Sequence, residues 1–166
     1  MRLVVADTSP LRYLVQIGQV DLLPQLFEKV FIPSVVSEEL RHPSTPEAVR
    51  NWMIATPDWL EISVVSASDD PSLRVLDEGE KAAITLGLLL SADLILVDDR
   101  RGAALARAKG FEVAGTLGIL DLAARRGMID LADSFARLRT TNFRAREELF
   151  DALIKQHERR EPERAS

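Results

Sequence analysis

The chain of 166 residues is 46% hydrophobic and has no cysteine, so one buried core is expected, while disulfide frameworks and thiolate metal sites are excluded. Its net charge of −5 argues against a protein that holds nucleic acid by bulk electrostatics alone. The longest apolar stretch, Leu86 to Leu90, is far too short for a membrane span, and the start MRLVVADTSP has no signal-peptide apolar region; a soluble, cytoplasmic protein with no membrane partner is expected.

In chain order, residues 3–6 are short, apolar and β-rich and end at Asp7-Thr8-Ser9-Pro10, a strand running into a helix over about 10–17. Gly18 ends that helix, and a second short one runs from Val20 to about Phe27. Strand two is expected at 29–32. A helix carrying Glu38 and Glu39 follows up to the His42-Pro43 break, and then a polar helix over about 46–55. Strand three, 60–65, alternates at its start as an edge strand does. A loop over 66–72 leads to a long apolar helix from Glu80 to about Leu90. Residues 94–97 form the most buried strand, ending at Asp98-Asp99, with a helix over about 101–109 and a fifth strand at 112–114 behind it. Helices over about 117–126, 130–139 and 144–158 complete a single domain of residues 1–158, and 159–166 reads as a flexible polar tail.

Strands alternating with helices imply a parallel sheet covered on both faces, an α/β fold. In such sheets ligands collect at the carboxyl ends of the strands, where Asp7 and the Asp98-Asp99 pair lie. Two carboxylates held at strand ends suit a Mg²⁺ or Mn²⁺ ion, which takes oxygen ligands. Their mutual repulsion without a cation is itself a reason to expect metal. Each acid also has an ordinary reading: Asp7, Glu39 and Glu80 as helix caps or dipole partners, and Asp98-Asp99-Arg100 as a turn and helix cap. Charge is segregated along the chain, with 7 basic and 16 acidic side chains in residues 1–99 but 6 basic and 2 acidic in residues 100–126. A solvated surface has this appearance, and so does an acidic pocket beside a basic rim.

Val5-Ala6-Asp7-Thr8-Ser9-Pro10-Leu11, the segment Pro33 to Leu40 and the segment Leu94 to Arg100 resemble, in that order, the acidic motifs of PIN domains. Leu76 to Ile84, containing Gly79-Glu80-Lys81-Ala82-Ala83-Ile84, resembles the helix start of the toxin-like, VapC-like branch. The resemblance covers about residues 2–126. It implies a three-layer α/β/α sandwich with a mainly parallel sheet of about five strands, and a Mg²⁺- or Mn²⁺-dependent endoribonuclease that hydrolyses RNA phosphodiester bonds. It also implies a toxin of a toxin–antitoxin pair, with a cognate antitoxin and a homodimer as partners. On this resemblance the catalytic acids fall on Asp7, Glu39, Glu80, Asp98 and Asp99, the metal ligands on Asp7, Glu80, Asp98 and Asp99, and the supporting hydroxyls on Thr8 and Ser9. Adjacent helix residues point about 100° apart, so Glu38 and Glu39 are rivals; Asp98 and Asp99 are rivals because the resembling motif has one aspartate set apart where this chain has an adjacent pair. Arg12, Arg100 and Arg101 are candidates for RNA phosphates, with Arg107 a weaker one. His42 and His157 lack partners at metal-ligand spacing, and Trp52 and Trp59 are expected to cover the core.

Two other readings compete. A catalytically silent PIN-like module that binds RNA or protein has the same carboxylates. A receiver-like phosphoacceptor domain also gathers acids at strand ends, but it places the acidic pair first and the single aspartate later, the reverse of the order here.

Overall fold

A computed structural model describes residues 2–165. The chain divides into two compact units, residues 1–116 and 117–166.

The first unit is built on five parallel strands, β1 (Val4–Ala6), β2 (Val30–Pro33), β3 (Leu60–Ser63), β4 (Leu94–Leu96) and β5 (Glu112–Ala114), in the order β3-β2-β1-β4-β5. Parallel neighbours need crossovers, and helices supply them: α1 (Thr8–Gln16) and α2 (Leu22–Phe27) between β1 and β2, α3 (Ser34–Arg41) and α4 (Glu47–Ile54) between β2 and β3, α5 (Glu78–Leu90) before β4, and α6 (Arg100–Ala108) before β5. The sheet flanked by these helices is the expected three-layer α/β/α arrangement. β1 and β4 are fully buried along their length, as central parallel strands are, whereas β3 is an edge strand with Glu61 and Ile62 exposed.

β1 is followed outward by β2 and β3 on one side, and on its other side the order resumes with β4 and β5. The winding direction therefore reverses between β1 and β4. Loops leaving the carboxyl ends of these two strands part to opposite sides and open a crevice there. Asp7 and Asp98 stand at that crevice because they follow β1 and β4 directly.

Glycine lets α5 approach the sheet: a Cβ on Gly87 would sit 2.7 Å from Ile95 Cδ1 and 3.1 Å from Phe111 Cζ. Leu73, Leu76, Ala83, Ile84, Ile95, Ala103, Ala106 and Phe111 form a core cluster there. Leu73 and Leu76 bring the segment ahead of α5 into this cluster. A single 3-10 turn, Pro71–Leu73, interrupts the expected loop, with Asp70 capping it through the Ser72 N–H at 2.9 Å and pairing with Lys109.

Boundaries shift in instructive places. α1 starts at Thr8 rather than near residue 10, so Asp7 is its N-cap residue, with no side-chain capping bond. α5 starts at Glu78, two residues before the expected Glu80, because Asp77 caps it by accepting the Glu80 N–H at 2.8 Å. α3 ends at Arg41, and His42, its C-cap, has the extended ψ of 142° that a following proline imposes.

α7 (Thr116–Arg125) starts on the last residue of the first unit, and the rest of it, α8 (Leu131–Leu138) and α9 (Glu147–Ala165) follow one another in the second. α9 continues past residue 158, where the sequence reading ends the helix. Phe135 is fully buried and meets Phe150 edge-on at 5.0 Å, while the Arg139 guanidinium lies 4.6 Å over the Phe150 ring. Among the described residues no helix is long and apolar enough to cross a membrane.

Candidate active site at the sheet crevice

Asp7 is buried, with 6% of its surface exposed, although an isolated carboxylate belongs in water. It has no choice of position: the residues before it are core strand, and its N–H completes the sheet by donating to the Leu96 carbonyl at 2.9 Å. Burial raises its pKa to about 7; the Thr8 N–H works in the opposite direction, and the charges of Asp77, Glu39 and Asp98 add to the rise.

Glu39 reaches the same place from α3. The Thr8 hydroxyl donates to its Oε2 at 2.5 Å, and partial burial raises its pKa against that hydrogen bond. Glu38, one residue earlier, is exposed. The helix turn that buries Val36, Ser37 and Leu40 thus separates the two rivals, bringing Glu39 inward.

Gly79 explains how Asp7 and Glu39 converge. A Cβ there would lie 2.8 Å from Glu39 Oε1 and 3.0 Å from Asp7 Oδ1, so the two carboxylates close over the bare Cα at the start of α5. Gly79→Ala ordinarily gains helix propensity of up to about 1 kcal/mol. Here the methyl displaces both carboxylates, and the expected result is an unchanged or slightly raised melting temperature with a loss of activity of at least about tenfold. Equal activity of the variant and the parent protein refutes this placement of the site.

Glu80, the next residue, is buried at 8% exposure, and its Oε2 has no hydrogen-bond partner. Burial is the main cause that raises its pKa to about 9, followed by hydrogen bonding to Asp77 and the charges of Asp77, Asp99 and Asp7. Gly102 makes room for this carboxylate, since a Cβ there would meet Glu80 Oε2 at 2.7 Å. Asp77 is the acid the sequence reading passes over. Its signal was the Asp77-x-x-Glu80 spacing of a helix-capping pair just ahead of an apolar run.

The adjacent aspartates after β4 part company. Asp98 Oδ1 accepts the Thr116 N–H at 2.6 Å and its Oδ2 the Thr116 hydroxyl at 2.8 Å; burial raises its pKa against both bonds. Asp99 is exposed and caps α6 by accepting the Gly102 N–H at 2.9 Å. Arg100 and Arg101 follow in the first turn of α6, both exposed, and Arg107 lies in its last turn. Ser9 is part of the first turn of α1. Arg12, on the same helix, lines a groove beyond Glu39. His157 lies on α9, in the second unit.

The four expected metal ligands do not form one ready-made ligand set: among the described residues, no group of three or more His, Cys, Asp or Glu side chains is arranged to hold a metal ion. The physical reason is visible in their partners. Asp98 is turned to Thr116 and Asp99 to the α6 amide, which leaves Asp7 and Glu39 converging over Gly79, with the orphaned Glu80 oxygen one residue further along α5, against Gly102. That donor set still fits a hard divalent cation. It is all oxygen, it is anionic, it contains a buried oxygen without a partner, and Mg²⁺ keeps several waters and asks for only one or two carboxylates.

Burying these acids has a consequence for stability without metal. A carboxyl whose pKa is raised on folding binds more protons folded than unfolded, so stability is greatest below the unfolded value and is lost as pH rises through the folded one. For Asp7 and Glu80 that window runs from about pH 4 to about 7 and about 9 respectively. In EDTA the melting temperature is expected to fall steadily from pH 5 to pH 9, and Glu80→Gln to flatten the upper part of that fall. A profile identical in both proteins contradicts the assignment of Glu80 as a buried, high-pKa acid.

Compared with known families, the chain matches the PIN domain over residues 3–159. No curated protein and no solved structure matches it significantly.

Proposed function

Because the chain belongs to the PIN-domain family, whose members are generally nucleases that use divalent metals, we propose that it is a Mg²⁺- or Mn²⁺-dependent endoribonuclease. The observation that carries this reading is the closure of Asp7 and Glu39 over Gly79, at the point where the sheet reverses its winding, with the next residue, Glu80, buried and one of its oxygens unpartnered.

Asp7, Glu39 and Glu80 would hold the cation, with Asp98 at the edge of the set. When bound, it supplies a water of lowered pKa and charge stabilisation at the departing oxygen. The protein's own groups do the positioning. Thr8 fixes Glu39 by its hydroxyl, and Thr116 clamps both oxygens of Asp98. Asp98, ionised less readily than a surface aspartate, is the acceptor for the proton of the attacking water. Asp99 holds the start of α6, which presents Arg100 and Arg101 as exposed cations for phosphates flanking the cut. The core-anchored strand ends keep the acids in place before substrate arrives, which is where rigid positioning counts.

The test is direct. Purified full-length chain with Mg²⁺ or Mn²⁺ cuts a labelled single-stranded RNA at internal bonds and stops in EDTA. No cut in any RNA with either ion sinks the nuclease reading in favour of a silent binding module. The proposal extends to a toxin held by a cognate antitoxin and to a homodimer, supported by the likeness of residues 76–84 to the toxin-like branch. Growth arrest on expression, relieved by co-expressing the product of an adjacent small gene, is the expected result.

A further inference from the structure

Beside Glu39, which is part of its wall, Thr8, Arg12, Glu38, His42, Ser44 and Thr45 line a groove of about 480 Å³, with Val35 as its apolar element. That volume lies in the range of small-ligand pockets and accommodates one nucleoside. The groove shares Thr8 and Glu39 with the acid site, so whatever occupies it lies next to the bond being cut.

The polar groups of the groove are incompletely used. Arg12 Nε is shut off from water and has no hydrogen-bond partner, and its guanidinium is 5.6 Å from the Tyr13 ring. Arg12 and the two glutamates line one groove, yet among the described residues no ion pair joins them. Glu39 is engaged by Thr8, whereas Glu38 is exposed. Thr45 spends its hydroxyl proton on the Glu39 carbonyl at 2.7 Å, and His42 Nδ1 accepts the Ser44 N–H at 3.1 Å. What remains is a cationic fork with donors only and a carboxylate with acceptors only, held apart in one cavity. A ligand that satisfies both presents two adjacent acceptors on one edge and two adjacent donors on another.

Among the four RNA bases, guanine has that pattern: O6 and N7 accept together, and N1–H and N2–H₂ donate together. We propose that this groove is the subsite for a guanine next to the scissile phosphate, with Arg12 donating to O6 and N7 and Glu38 accepting from N1 and N2. Unpaired bases in single-stranded RNA are read on these edges. Arg12 then serves the base rather than a phosphate. The assignment rests on the ribonuclease reading for its biological use, and its binding chemistry is measurable without turnover.

The experiment measures binding of fluorescein-labelled pentaribonucleotides UUGUU, UUAUU and UUUUU to the full chain in EDTA, where no cleavage occurs. The expected preference for UUGUU is about tenfold or more, consistent with one bidentate pair. Arg12→Ala and Arg12→Lys both abolish the preference, because lysine keeps the charge but lacks the fork; thermal melting identifies any variant that does not fold, and the other then decides. Replacing guanine by inosine, which lacks the N2 amino group, weakens wild-type binding and leaves Glu38→Gln binding unchanged. Equal affinity for the three oligonucleotides, or a guanine preference that survives both Arg12 variants, overturns the proposal. Guanine-selective binding without cleavage of any RNA in Mg²⁺ or Mn²⁺ defeats the nuclease reading and leaves the subsite standing.

Discussion

Asp7→Asn is expected to reduce RNA cleavage by about 10²–10³-fold, the scale on which one preorganised charged or hydrogen-bonding group contributes to such sites, while making the metal-free protein more stable. The two effects have one cause. Asp7 is buried among acids and ionises only near pH 7; at pH 8 its charge opposes folding unless a cation is present. Asparagine keeps the shape and removes the charge. At pH 8 in EDTA the variant should melt about 3–6 °C above the parent protein, the shift that 1–2 kcal/mol produces in a domain of this size. Adding 10 mM Mg²⁺ reverses the order, because ligand binding to the folded state stabilises only the protein that retains the ligand. A variant that cleaves normally, or one that loses activity together with its fold, removes Asp7 from the site. A parent protein whose melting temperature ignores Mg²⁺ removes the metal.

Ile95→Ala carries the largest expected loss of stability, about 3 kcal/mol within the range for truncating a fully buried isoleucine. Ile95 is fully buried in the middle of β4, paired with Val5 on one side and Val113 on the other, and its Cδ1 lies against the bare Cα of Gly87. The neighbours on both sides are sheet and the neighbour above is a helix packed without a side chain, so little is free to collapse into the space left behind. Urea unfolding followed by tryptophan fluorescence tests this, since Trp52 and Trp59 both lie in the first unit, 5.8 Å apart. The midpoint should fall by about 1–2 M at an unchanged slope. A fall below about 0.3 M means that the α5 and β4 layers repack and that the approach at Gly87 is not rigid. The acid site rides on the ends of these same layers, so Ile95→Ala should weaken cleavage only at temperatures near its own melting.

Much of the frame was legible along the chain. The five strands, their parallel sense and the edge position of β3 follow from apolar runs separated by helix-length stretches, and the structure has them within a residue or two. The ordered acidic motifs resemble a PIN domain, and the chain belongs to that family. Helix starts were less legible, because capping depends on which polar side chain turns back on the backbone. Asp77 caps α5, so Glu80 lies within its first turn rather than at its start, and it is buried there.

The rival acids show where local pattern stops. Asp98 and Asp99 are chemically identical neighbours, and nothing in their spacing separates them; Thr116, 18 residues further on, takes Asp98, and the amide of Gly102 takes Asp99. Glu38 and Glu39 are divided by the rotation of α3 as its apolar residues seat in the core. Gly79, Gly102 and Gly115 read in sequence as indifferent small residues, yet each leaves the space that a carboxylate fills.

The succession of strands and helices, and which acids stand at strand ends, can be read along the chain, because hydrophobic period and strand-end position are properties of neighbouring residues. Which of those acids converge and which are engaged elsewhere is settled in three dimensions. That outcome depends on where the sheet reverses its winding and where a missing side chain lets two carboxylates close over one backbone atom, and both are relations between residues distant in sequence.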